Sequence, residues 1–232
     1  ILVSTMYVNN ETGTILPITE IGEVVRNHSA VYHVDAVQAV GKITIKPEEL
    51  GIDFLSASGH KFHGPKGVGF LYASTMDFDS YIHGGDQEYK KRAGTENLPA
   101  IVGMVAALKE ELSKQTENFQ AVQRLKDLFL AKISSLNYYI NHGKEQLPYV
   151  LNLGFPGQKN DLLLLRMDLA GISISTGSAC TAGIVQTSHV LKAFYGNGSH
   201  RLHESVRISL SHQNTDEEII QLVNTLKEII GD

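Results

Sequence analysis

The folds open to this chain are limited most by one repeated alternation. Short apolar runs rich in β-branched and aromatic residues give way to longer stretches in which apolar residues recur with the helical period. Strand-length runs occur at 1–8, Val31–Asp35, Phe54–Ser58 and 69–72, and helix-period stretches fit between and after them. Strands separated by helices need crossover connections, which predicts an α/β fold with a largely parallel sheet. Thr19 is placed to cap a helix reaching about Asn27, and Leu98–Ser113 sets Ile101, Val105 and Leu108 on one face.

The character changes from about residue 116. A longer amphipathic helix carries Phe119, Val122, Leu125, Phe129, Ile133 and Leu136. A strand at 150–153, a helix over 161–169 stopped by Gly171 and a further strand at 172–175 follow. Beyond a glycine-flanked loop come a short helix near 188–194, a strand at 205–210 and a last helix. Thr215 with Glu218 forms a capping box ahead of its Ile219, Val223, Leu226 and Ile230. The expected division is therefore a parallel-sheet domain over 1–115 and a smaller α+β domain over 116–232.

Charge and cysteine content exclude several function classes. The net charge is -5 and no basic run is sustained, which argues against nucleic acid or an anionic membrane as the main partner. No apolar run approaches the roughly 18 residues that cross a bilayer, so a cytoplasmic location is expected. Cys180 is the sole cysteine, which rules out an internal disulfide and a cysteine-based zinc site. The pairs His60/His63 and His200/His203 have two-residue gaps without further ligands, so no metal site is signalled. The chain opens within the apolar run Ile1-Leu2-Val3, and a fragment of a longer protein is the expectation drawn from that.

Three segments could carry chemistry. Ser58-Gly59-His60-Lys61 directly follows a strand, where open α/β sheets bind ligands; nearby cations would favour a nucleophilic amine. A solvated lysine in a glycine-rich turn is the plain alternative. Asp35 ends the preceding strand, and a pyridoxal phosphate enzyme needs both a Schiff-base lysine and a carboxylate for the pyridinium nitrogen. Asp35 and Lys61 could fill those roles, although Asp35 could equally cap a helix. Cys180 sits between Gly177 and Gly183 among small residues, where a thiol can reach into a cleft; an inert buried cysteine is the alternative.

Together with Asn9-Asn10-Glu11-Thr12-Gly13, Arg92-Ala93-Gly94-Thr95 and Ser205-Val206-Arg207-Ile208-Ser209, these segments resemble the cysteine desulfurases. Those are pyridoxal phosphate enzymes of the class V aminotransferase family with the type I fold. The resemblance spans essentially the whole chain, and Gly177-Ser178-Ala179-Cys180-Thr181 is its most specific part. It implies the later part of a large cofactor domain followed by a small α+β domain. The Gly-Ala-Thr segment and ring-stacking His of the family would lie upstream of Ile1, and Tyr7 stands where many relatives carry His.

By the same resemblance, Lys61 is the Schiff-base lysine and Asp35 the partner of the pyridine nitrogen. Gln38 donates to the phenolic oxygen, Asn10 helps hold cofactor or substrate, and Ser58 and His60 bind phosphate. Thr95 reaches the phosphate of the other subunit in a homodimer. Arg207 clamps the α-carboxylate of L-cysteine, a task suited to a guanidinium fork. Cys180 takes the sulfur as a persulfide and hands it to an acceptor protein in iron-sulfur cluster assembly or tRNA thiolation. A selenocysteine lyase, a plain class V aminotransferase and a cofactor-free interaction module are the competing readings.

Overall fold

The computed structural model describes residues 1–177 and 187–231. The chain forms two compact units: Ile1–Val8 with Leu16–Gln115, and Asn9–Ile15 with Thr116–Asp232. The first holds a four-stranded sheet in the order β1 (Leu2–Met6), β2 (Val31–Asp35), β3 (Phe54–Ser58), β4 (Gly69–Ala73). β1, β2 and β3 run parallel, with α1 (Ile18–Val25) and α2 (Pro47–Leu50) in the two crossovers. Tyr32 and Val34 alternate into the core of β2, as Leu55 and Ala57 do in β3. The β4 strand is antiparallel to β3, so the sheet is mixed. Parallel pairing requires a crossover of about a dozen residues or more. Residues 59–68 contain only one 3-10 turn, Gly59–Phe62, and the chain returns directly.

Two details of this unit differ from the sequence-based expectation. The α1 helix begins at Ile18 with Pro17 in the capping position, so Thr19 lies inside the first turn and caps nothing. Proline has no side-chain acceptor, so the first-turn N–H groups of this helix take no side-chain cap. In α4 (Leu98–Ser113) the buried residues are Met104 and Glu111, whereas Val105 is exposed. The helix is turned toward the 3-10 turn. A Cβ added to Gly59 would lie 3.2 Å from Met104 Cγ, and one on Gly64 would lie 3.4 Å from Met104 Cα. Absent side chains on Gly59 and Gly64 thus let α4 seat Met104 against the turn that carries Lys61. A short left-handed turn, α3 (Gln87–Lys90), precedes the Arg92–Thr95 stretch.

The second unit packs α5 (Gln115–Lys132), α6 (Asn160–Leu169) and α9 (Asp216–Ile230) with an antiparallel sheet. The strands are β5 (Tyr139–Ile140), β6 (Val150–Gly154) and β7 (Ser205–Ser209), in that order. Every residue of β6 is buried. Val122, Leu125, Phe129 and Ile133 supply the core side of α5 and its extension. α6 ends where Gly171 adopts φ 77°, and α9 has both hydrogen bonds of its capping box. Two short helices, α7 (His189–Tyr195) and α8 (Arg201–Glu204), complete the unit.

The expected strand over 172–175 is absent as an element. Only Ser175 pairs, through an isolated bridge to Arg207. Asn9–Ile15 belongs to this unit because its hydrogen bonds go there. Gln146 Nε2 donates to Thr12 O, Asn152 Nδ2 donates to Glu11 O, and Ile15 N–H donates to Glu145 O.

Candidate active site

In the first unit the register places Asp35 opposite Ser56, so β2 and β3 deliver their carboxyl ends side by side. That is where parallel sheets present ligand-binding groups. Asp35 is exposed, and its Oδ1 accepts from Val37 N–H at 2.9 Å. The carboxylate therefore closes a turn after β2, where no helix begins for it to cap, while its second oxygen can serve a ligand. Ser58 ends β3 with its Oγ 2.8 Å from His60 Nδ1. Half-buried Lys61 follows in the 3-10 turn, which His63 closes in a left-handed conformation at φ 64°.

A second lysine, which sequence reasoning overlooked, stands close to this group. Burial, and then the positive charge of Lys61, pushes the Lys42 ammonium down to about 8, against the opposing pull of the Glu111 carboxylate. Lys42 Nζ donates to Gln38 Oε1 at 3.4 Å. An ammonium can only donate, so this bond orients the Gln38 amide with its NH2 as the remaining donor. Position alone could have flagged Lys42, four residues beyond Gln38 in the same turn. Across the sheet, His33 bridges Ser4 Oγ (2.8 Å) and Ser56 Oγ (3.1 Å) through its two ring nitrogens. Burial, with a smaller push from Tyr32, raises the Tyr7 hydroxyl pKa. Thr95 is exposed just beyond Gly94, whose N–H donates to Gln87 Oε1.

The second unit brings Asn10 and Arg207 together. Arg207 lies on β7 opposite Asn152, its backbone pairs with Ser175 in both directions, and its Nη1 donates to Asn10 O at 3.0 Å. Asn9 Oδ1 accepts from Glu11 N–H, Thr12 N–H and Thr12 Oγ1, which shapes the turn presenting that carbonyl. The contact that Asn10 makes here is through its backbone. Glu11, also overlooked from sequence, is a fully buried carboxylate whose Oε2 accepts from Ser188 Oγ. Its one available signal was an acidic residue inside a turn of otherwise neutral polar residues. Cys180 lies outside the described residues. Lys61, Asp35, Gln38, Ser58, His60 and Thr95 belong to the first unit, and Asn10 and Arg207 to the second.

A model of the class V aminotransferases matches residues 1–222. The cysteine desulfurase of Nostoc sp. is 43% identical over 99% of this chain and 58% of its own length. Among solved structures, the NifS-like protein of Rickettsia africae superposes with a TM-score of 0.88 at 33% identity, over 98% of this chain and 61% of that one. SspA in complex with cysteine gives 0.76 at 34% identity, over 92% and 60%. The chain thus spans about three fifths of the length of the proteins it matches. Among the described residues, no helix is long and apolar enough to cross a membrane.

Proposed function

The chain belongs to the class V aminotransferase family, and from that premise we propose that the protein is a pyridoxal phosphate-dependent cysteine desulfurase. It converts L-cysteine to L-alanine and leaves the sulfur on Cys180 for an acceptor protein. In this reading 1–115 is cofactor-binding domain, 116–232 carries the catalytic cysteine, and the enzyme is a homodimer. The observation that carries the proposal is the pairing of Asp35 and the Ser58-Gly59-His60-Lys61 turn at the carboxyl ends of adjacent parallel strands. The desulfurase name of a 43% identical relative and the bound cysteine of a structural neighbour support the substrate.

The donor set suits the cofactor. Asp35 would hold the pyridine nitrogen, the Gln38 amide NH2 the phenolic oxygen, and Ser58, His60 and a partner subunit's Thr95 the phosphate, with Lys61 as the covalent anchor. Bound there, pyridoxal phosphate would supply an electron sink for the carbon that loses its proton. The Lys61 amine takes the α-proton and later returns a proton to carbon. Arg207, aimed by its bond to Asn10 O, holds the substrate carboxylate with its remaining N–H donors. The Cys180 thiolate attacks the substrate sulfur. A sulfur–sulfur bond forms as the carbon–sulfur bond breaks, the electron pair stays with carbon, and protonation there gives alanine. The acceptor of the persulfide serves iron-sulfur assembly or tRNA thiolation.

Incubation with L-cysteine should produce alanine and a persulfide on Cys180 detectable by mass spectrometry. Unmodified Cys180, with undiminished alanine production by Cys180→Ala, would overturn the proposal.

A further inference from the structure

Burying a charge is costly unless an opposite charge or hydrogen bonds compensate it. The first unit nonetheless gathers a buried carboxylate and two lysines around the turn that follows β2. Glu111, 6% exposed, lies near the end of α4. Its Oε1 stands 3.8 Å from Nε2 of His63, the residue that closes the 3-10 turn carrying Lys61. Half-buried Lys42 feels both charges, since Lys61 repels its ammonium and Glu111 attracts it. Backbone geometry brings these groups together. Residues 36–43 coil tightly after β2, with Val40 N–H donating to Ala36 O and Lys42 N–H to Ala39 O. Within that coil Gly41 adopts φ 81°, and a Cβ added to it would lie 3.2 Å from Phe62 Cβ and 3.3 Å from Glu111 Cβ. The bare backbone of Gly41 thus lets the coil press against both the Lys61 turn and α4. The coil also carries Gln38, whose Oε1 accepts from Lys42 Nζ at 3.4 Å.

We propose that Glu111 and Lys42 are positioning residues for Gln38: the buried carboxylate compensates the Lys42 charge beside Lys61, and the ammonium holds the Gln38 amide by its oxygen. This rests on the desulfurase reading for the contact between Gln38 and cofactor, and goes beyond it in assigning work to Lys42 and Glu111. A carboxamide has two ends of opposite polarity, an oxygen that accepts and an NH2 that donates. The phenolic oxygen of pyridoxal phosphate calls for the donor. A neutral amine at position 42 could accept as well as donate and would hold either orientation, whereas an ammonium holds only one. Glu111 keeps Lys42 in the form that discriminates, against both burial and the charge of Lys61.

The test reads two quantities in the purified whole protein. One is the carboxamide carbon resonance of Gln38 without cofactor, assigned by its loss in Gln38→Ala. The other is the affinity of the apoprotein for pyridoxal phosphate, from absorbance titration. Lys42→Met is expected to shift the resonance and to weaken cofactor binding about tenfold or more, the worth of one charge-assisted hydrogen bond. Glu111→Gln should shift the resonance in the same direction and weaken binding by a smaller factor. The double variant Glu111→Gln/Lys42→Met should match Lys42→Met, because Glu111 acts through Lys42. In the Gln38→Ala background neither change should lower the affinity further. An unmoved resonance in Lys42→Met, or a Glu111→Gln loss that persists undiminished in the Gln38→Ala background, would overturn the proposal. If Lys42→Met fails to fold because Glu111 is left uncompensated, the double variant compared with Glu111→Gln decides by the same criterion. If the wild-type protein binds no cofactor, the desulfurase reading falls, and the Gln38 resonance alone still decides whether Lys42 and Glu111 position it.

Discussion

The two units spend their polar side chains in opposite ways. In the second, Asn141 Nδ2 donates to both Asn152 Oδ1 and Ser205 Oγ, while Asn160 Nδ2 donates to Ser205 O. These groups are buried and satisfy one another, so they hold β5, β6 and β7 in register. In the first, Asp35, Ser58, His60 and Lys61 gather at the strand ends, where they are exposed or half-buried. Polar groups paired inside a sheet serve the fold, whereas polar groups gathered at a sheet's carboxyl end serve a ligand. Substitutions in the two places should therefore separate activity from stability.

The largest contrast is expected at Lys61. Lys61→Ala should lower turnover by about 10²–10⁴-fold or more and abolish borohydride trapping of cofactor, with unfolding free energy of the apoprotein within about 0.5 kcal/mol of wild type. A matched loss of stability in urea titration would break the contrast.

The reverse pattern is expected at Asn152. Asn152→Ala removes partners from Asn141 and from the Glu11 carbonyl, and each buried group left unpaired costs about 1–3 kcal/mol. Urea unfolding should show that loss, while the cofactor absorbance of the surviving folded protein stays unchanged.

The smallest effect sharpens the picture at Lys42, a half-buried ammonium whose charge feels both Lys61 and the buried Glu111 carboxylate of the same unit. Its pKa is about 8 in the folded protein, against about 10.4 in an unfolded chain. The charged form is thus penalised by folding. That penalty is complete below pH 8, recedes as pH rises from 8 to about 10.4 and is gone above that range. Wild type should gain stability relative to Lys42→Met across this window, by at most about 1.4 kcal/mol per pH unit. A stability difference that stays flat from pH 7 to 10.5 would show that Lys42 is not desolvated.

Much of this arrangement was legible in the residues. The β2 and β3 strands are apolar runs bounded by polar and glycine residues, and Asp35 and Lys61 could be placed at their ends because strand direction follows from the crossovers. What escaped depended on pairing at a distance. The antiparallel course of β4 is decided by a ten-residue return, and the face of α4 by the bare backbone of Gly59 and Gly64. Residues 172–175 have a strand-like composition but find a partner only at Ser175. Glu11 and Lys42 escaped for a related reason: each carries a positional signal, but its interest lies in its surroundings in the fold, which the adjoining residues do not announce.

The direct return from β3 to β4 has a consequence for ligand capture. Ser58 pairs with Gly69 on the adjoining strand, Gly59 N–H donates to Val68 O, and Gly64 N–H donates to Gly59 O. The turn that carries Lys61 is therefore a closed ring of chain, cinched at its base by the ladder. Confining such a loop costs conformational entropy, and here that cost falls on folding. An incoming ligand then meets an amine whose backbone is already ordered, so little of its binding energy is diverted to organising the turn.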